Sequence, residues 1–116
     1  MGSVTLAGTL EYIKNNGTTI TEPVDIDDTF ESSINMEAVE AGAATYAVPF
    51  GTIVTAKVLL IKMLHGDAKV LFEGVADGPT ILEGGAKVFI LGNCTSIDLE
   101  HTGDIDADIT LLGDLT

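Results

Sequence analysis

At 116 residues and 12.1 kDa, with 46% apolar residues and a mean hydropathy of +0.38, the chain is of single-domain size and too apolar for disorder. Eighteen acidic residues stand against five lysines and no arginine. The resulting net charge of −13 repels phosphate backbones and anionic headgroups, which excludes direct binding to nucleic acid or to an anionic membrane.

Short apolar runs parted by glycine, with no sustained helical period, predict an all-β chain. The expected fold is one antiparallel β-sandwich over 1–116, of about eight short strands in jelly-roll-like or immunoglobulin-like order. Val4, Leu6, Leu10 and Tyr12 alternate with small or polar residues and lead into Asn16-Gly17, the favoured pair for a two-residue hairpin turn. The second arm is expected over 18–26, with Pro23 marking an edge or a bulge. In "VDIDD" the aspartates are read as turn caps, with a metal role as the lesser alternative.

The clearest alternation follows. Phe30, Ser32, Ile34, Met36 and Ala38 share one face, and Thr29, Glu31, Ser33, Asn35 and Glu37 share the other, which predicts a half-buried strand. After the small-residue loop "AGAAT", Tyr46, Val48 and Phe50 resume the pattern. Residues 52–64, "TIVTAKVLLIKML", are apolar on both faces and too short to cross a bilayer. Ile53, Val54, Thr55 and Val58 favour a strand over a buried helix, covered on both sides by the fold or by another subunit. No acid occurs from 41 to 66, so Tyr46, Val48, Pro49, Phe50, Val54 and Val58 are the candidate subunit-contact residues. "AKVLFEG" and "AKVFILG" read as two similar strands, with turns at Asp77-Gly78-Pro79 and Gly84-Gly85 between them. "CTSIDLE" and "DIDADITLL" supply further strands.

The last of these decides whether the chain holds a metal. An EF-hand calcium loop needs glycine at its sixth position and glutamate at its twelfth. Counting from Asp104, those positions are Ile109 and Leu115. Ile105, Ala107, Ile109 and Leu111 instead form an unbroken apolar face, so Asp104, Asp106 and Asp108 line the solvent side about 6 to 7 Å apart. The alternative is a loose cation site of those three aspartates, shared with Asp98, Glu100 or a neighbouring subunit.

Catalytic constellations are sparse. Cys94 is the single cysteine, so no intrachain disulfide forms; a reducing compartment is expected, and the thiol reads as a small buried hydrophobe. His65 and His101 are both read as loop residues, and a Cys94–His101 dyad lacks an activated-nucleophile pattern. No phosphate-binding loop or zinc spacing is present. The chain is therefore expected to be no enzyme and to need no cofactor. Asn16-Gly17-Thr18 and Asn93-Cys94-Thr95 match the glycosylation sequon, and both are read as turn chemistry.

In its general character, from "VTLAGTLEY" to "IDADITLLGD", the chain resembles small all-β virion proteins of tailed bacteriophages, both capsid decoration (cement) proteins and tail- or fibre-associated β-sandwiches. The resemblance implies a structural protein that reinforces the shell through oligomeric contacts, a trimer by preference. Its partners would be the major capsid or other virion proteins, and its location the virion assembled in host cytoplasm. The competing class is a carbohydrate-binding or adhesion module, against which the shortage of exposed aromatics counts.

Overall fold

The computed structural model describes residues 2–76 and 78–116, so the predicted turn residue Asp77 lies outside them. Ten strands, against the eight or so expected, and no helix occur among the described residues, so the all-β class stands. They fall into two compact units, one ending at Phe30 and the other running Glu31–Thr116.

The first unit is a hairpin of β1 (Gly2–Ile13) and β2 (Thr19–Phe30), paired antiparallel from Gly2 opposite Phe30 to Ile13 opposite Thr19. Its connection corrects the expected two-residue turn. The Gly17 N–H donates to the Lys14 carbonyl at 2.9 Å and the Lys14 N–H to the Thr18 carbonyl at 2.8 Å. Asn15 and Asn16 are thus the turn centre, and Gly17 follows at φ 85°, a bulged hairpin loop. Asn16 Oδ1 accepts from the Thr18 N–H at 3.0 Å, which favours this form over the tighter one. Pro23, opposite Thr9, sits in a strand paired on one side only, where a missing N–H is tolerated.

The sandwich expected over 1–116 is confined to the second unit. Its strands are β3 (Ser32–Glu40), β4 (Ala44–Ala47), β5 (Thr55–His65), β6 (Ala68–Phe72), β7 (Thr80–Ile81), β8 (Ala86–Cys94), β9 (Ile97–His101) and β10 (Ile105–Asp114). One four-stranded sheet has the order β3-β10-β5-β8 and the other β4-β9-β6-β7, all pairs antiparallel. Only β6 and β7 are neighbours both in chain and in sheet; every other connection crosses between sheets. That is jelly-roll order and decides against the immunoglobulin-like alternative. The look-alike segments 68–74 and 86–92 contribute β6 and β8, which lie in different sheets.

The strand predicted through Phe30 is cut at Glu31. Phe30 ends β2 opposite Gly2, whereas the Glu31 N–H donates to the Gly113 carbonyl at 3.0 Å and β3 continues along β10. The alternation carries straight across this break because only the pairing partner changes.

The core lies between the two sheets. Leu59, Ile61 and Met63 of β5, Ile105, Ala107, Ile109 and Leu111 of β10, and Val70 and Leu99 opposite them are fully buried. Each large aliphatic side chain removed from water in this way contributes about 1.5–3 kcal/mol. On the other face of β5, Val58 is buried and Leu60 half-buried, but Lys62 and Leu64 are exposed. Cover on both faces, expected for the whole of 52–64, therefore holds at one end of the strand and fails at the other.

Gly113 marks the tightest approach of β10 to the segment before β5. A Cβ there would collide with the Thr55 carbonyl oxygen and stand 2.7 Å from Ile53 Cγ2. Gly113→Ala is expected to destabilise the chain by about 1–3 kcal/mol, seen as a lower denaturant midpoint at unchanged slope. Gly103→Ala, where a Cβ meets nothing within 4 Å, is the matched control and should cost less than about 0.5 kcal/mol.

Candidate functional site

The aspartates of 104–112 do not converge. Asp104 precedes β10, and its Oδ1 accepts from the Gly42 N–H at 2.8 Å. Asp106 and Asp108 stand on the face of β10 opposite the buried Ile105, Ala107, Ile109 and Leu111, as a half-buried strand requires. Asp108 is in register with Glu37 of β3 on one side and Lys62 of β5 on the other. Among the described residues no group of three or more His, Cys, Asp or Glu is placed to hold a metal ion. Asp25 and Asp27 lie along β2, and Asp28 Oδ1 accepts from the Thr29 N–H at 2.8 Å.

Glu37 of β3 lies against Asp106 of β10. A hydrogen bond to Asp106, then the charges of Asp106 and Asp108, raise the Glu37 carboxyl above its ordinary value.

His101 corrects the loop reading. It closes β9 and is only 3% exposed, continuing the buried face of Ile97 and Leu99. That two-residue spacing was present in the sequence; the neighbouring Thr102-Gly103 obscured it. Nδ1 lies 2.9 Å from the Gly103 carbonyl, while Nε2 has no partner among the described residues. Cys94 is buried as expected, and its Sγ donates to the Ser96 carbonyl at 3.2 Å. Burial pushes the thiol further up, so it stays protonated at neutral pH. Thiol and imidazole are each bonded to a carbonyl of their own local segment, and not to each other.

The predicted contact residues divide. Val48 belongs to the core, and Tyr46 and Phe50 pack against it, so these three serve the interior of the sandwich. Val58 is buried between Leu112 and Ile90 in register. Pro49 and Val54 are exposed. Aromatic side chains Phe72 and Phe89 likewise pack, partly buried, against the core.

A stronger association surface lies in the hairpin. Cross-strand pairs put Val4, Leu6, Leu10, Tyr12, Ile20, Val24 and Ile26 on one face, with Thr5, Thr9, Glu11, Thr21, Asp25 and Asp27 on the other. Leu6 is 39%, Leu10 50% and Tyr12 41% exposed. Within the apolar face, the stretch from Leu6–Ile26 past Gly8–Val24 to Leu10 carries no charge and is bordered by Asp28 and Glu22. The alternation was legible, but the exposure of Leu6, Leu10 and Tyr12 was not, because every apolar face was assigned to one shared core.

No family model matches the chain, and no curated protein matches it. Among solved structures it is similar to a putative ethanolamine utilization protein Q from Salmonella typhimurium LT2. The two share 9% identity at a TM-score of 0.45, over 94% of this chain and 97% of that one. A likeness at that level assigns no activity. The expectation of a virion structural protein, whether capsid decoration or tail-associated, is set aside: none of the comparisons brings a virion protein to this chain.

The raised Glu37 carboxyl sets a pH dependence. Between its ordinary value of 4.5 and its raised one, the folded chain binds more protons than the unfolded chain, so stability falls as pH rises through that window. Glu37→Gln is expected to raise the melting temperature at pH 7, where the repulsion is fully present, and to leave it nearly unchanged near pH 4. An equal shift at both pH values would mean that the pair is not the cause.

Proposed function

We propose that the chain is a non-catalytic, self-associating β-module in which the β1–β2 hairpin is the association element and a second copy of the same hairpin covers its apolar face. The carrying observation is the long ribbon whose apolar face, uncharged between Asp28 and Glu22, leaves Leu6, Leu10 and Tyr12 open to solvent. A lone two-stranded hairpin is marginal in water; it needs further strands or a packed surface against its hydrophobic side. Symmetry favours the same patch on another copy as that surface, because most soluble oligomers are homo-oligomers.

Charge fits the arrangement. When two apolar faces meet, Glu11, Asp25 and Asp27 turn away from the contact, and the uncharged centre of each face is what the other buries. Pro23 blunts one edge of the ribbon, which favours contact by face over extension of the sheet. A non-catalytic role is supported by Cys94 and His101, each held by a backbone carbonyl and each buried.

Light scattering after size exclusion is expected to return a mass of two or more 12.1 kDa chains. Leu10→Asp, at a half-exposed position where a single chain loses little, should shift the protein to monomer with its circular dichroism retained. A wild-type chain that stays monomeric at high micromolar concentration would overturn the proposal.

A further inference from the structure

The two non-glycine residues with left-handed backbone among the described residues, Glu73 (φ 53°) and Asn93 (φ 65°), both line one cavity. Such conformations are uncommon and concentrate at binding sites and turns. The cavity, of about 600 Å³, opens where β6 ends and β8 bends, within the size range of small-molecule sites. Part of its wall is apolar: Phe72 and Phe89 meet edge to face with ring centroids 5.9 Å apart, and Val75, Val88, Ile90 and Leu91 extend the lining beside Glu73 and Asn93.

Two local devices shape it. Phe72 and Val75 exchange backbone hydrogen bonds at 3.2 and 2.9 Å across Glu73-Gly74, both at positive φ, which is a type I′ turn. That turn prefers Asn, Asp or Gly at its first central position, so turn chemistry alone does not call for a glutamate. Opposite it, the register of β8 against β5 slips between Ala56 and Val58, and the extra residues of β8 bulge outward around Gly92 and Asn93. Bulges of this kind re-aim side chains beside binding sites.

The two devices are tied together. The Glu73 N–H donates to the Ser96 carbonyl at 2.9 Å, and the Thr95 N–H and hydroxyl both donate to Glu73 Oε1 at 3.2 Å. Glu73 is therefore held in place, and among the described residues it is the one charged side chain in the lining. A net charge of −13 adds a field that draws cations and repels anions.

We propose that this cavity binds a small amphiphilic cation, an alkyl- or arylalkyl-ammonium whose apolar part lies against Phe72, Phe89 and Leu91 and whose ammonium meets the Glu73 carboxylate. The site is separate from the hairpin and does not depend on self-association.

The test uses the full chain and three probes of equal length, n-octylammonium, n-octanol and n-octanoate, each below its micellar concentration. Binding is followed by amide and methyl chemical shifts. Octylammonium is expected to move the resonances of 72–75 and 88–94 and to bind about tenfold tighter than octanol, the size of one charge-assisted hydrogen bond. Octanoate should bind more weakly than either. Glu73→Gln, which keeps the acceptor for Thr95, should bring octylammonium down to the octanol level. Val75→Lys, at a position 58% exposed and so tolerant of change, should abolish octylammonium binding by setting a charge like the ammonium's own beside Glu73. Equal affinity for octanoate and octylammonium, an unchanged affinity in Glu73→Gln, or shifts confined to other segments would each overturn the assignment.

Discussion

The second unit depends on β10 being paired on both sides. It sits between β3 and β5, and its buried residues Ile105, Ala107, Ile109 and Leu111 form the floor of the core. Neither neighbour is near in sequence: Leu111 stands opposite Ile34 on one side and Leu59 on the other. The sheet is thus assembled from long-range pairs, whose closure entropy must be met before burial repays it. Gly113 belongs to the same constraint, since β10 can run this close to Thr55 only where it has no side chain.

Charge has a different part. The acids are distributed over outward faces, and the ion pair of Lys57 with Asp114, at 3.3 Å, joins partly exposed groups. Pairs of that kind contribute about 0–1 kcal/mol. Stability therefore rests on the apolar interior, while the acids set solubility and the sign of what approaches the surface. Glu37 is an exception in kind, because there the crowding by Asp106 and Asp108 shows as a raised proton affinity.

Alternation was the legible part. It located β3, β5 and β10 and assigned Ile105, Ala107, Ile109 and Leu111 to the inside, and it turned Asp106 and Asp108 outward. Pairing was not legible, because period two says which face a residue occupies and nothing about its neighbour. Hence Phe30 read as part of the following strand, although it pairs with Gly2, and the similar segments forming β6 and β8 gave no sign that they belong to different sheets. The cavity was hidden for a related reason. Glu73 and Asn93 are ordinary residue types, and only backbone torsion and the approach of two distant turns make them a site.

The bend in β8 has a consequence for colloidal behaviour. β8 is an outer strand of its sheet, and Val88-Phe89-Ile90-Leu91 is the sort of uncharged β-rich run that templates fibrils when it lies flat and open. Gly92 and Asn93 turn the backbone out of line after Leu91, and Lys87 sets a charge just before Val88. A foreign strand zipping along this margin would meet a gatekeeper at one end and a corner at the other, so the same distortion that opens a hollow beside Phe89 also shortens the stretch of backbone open to such pairing.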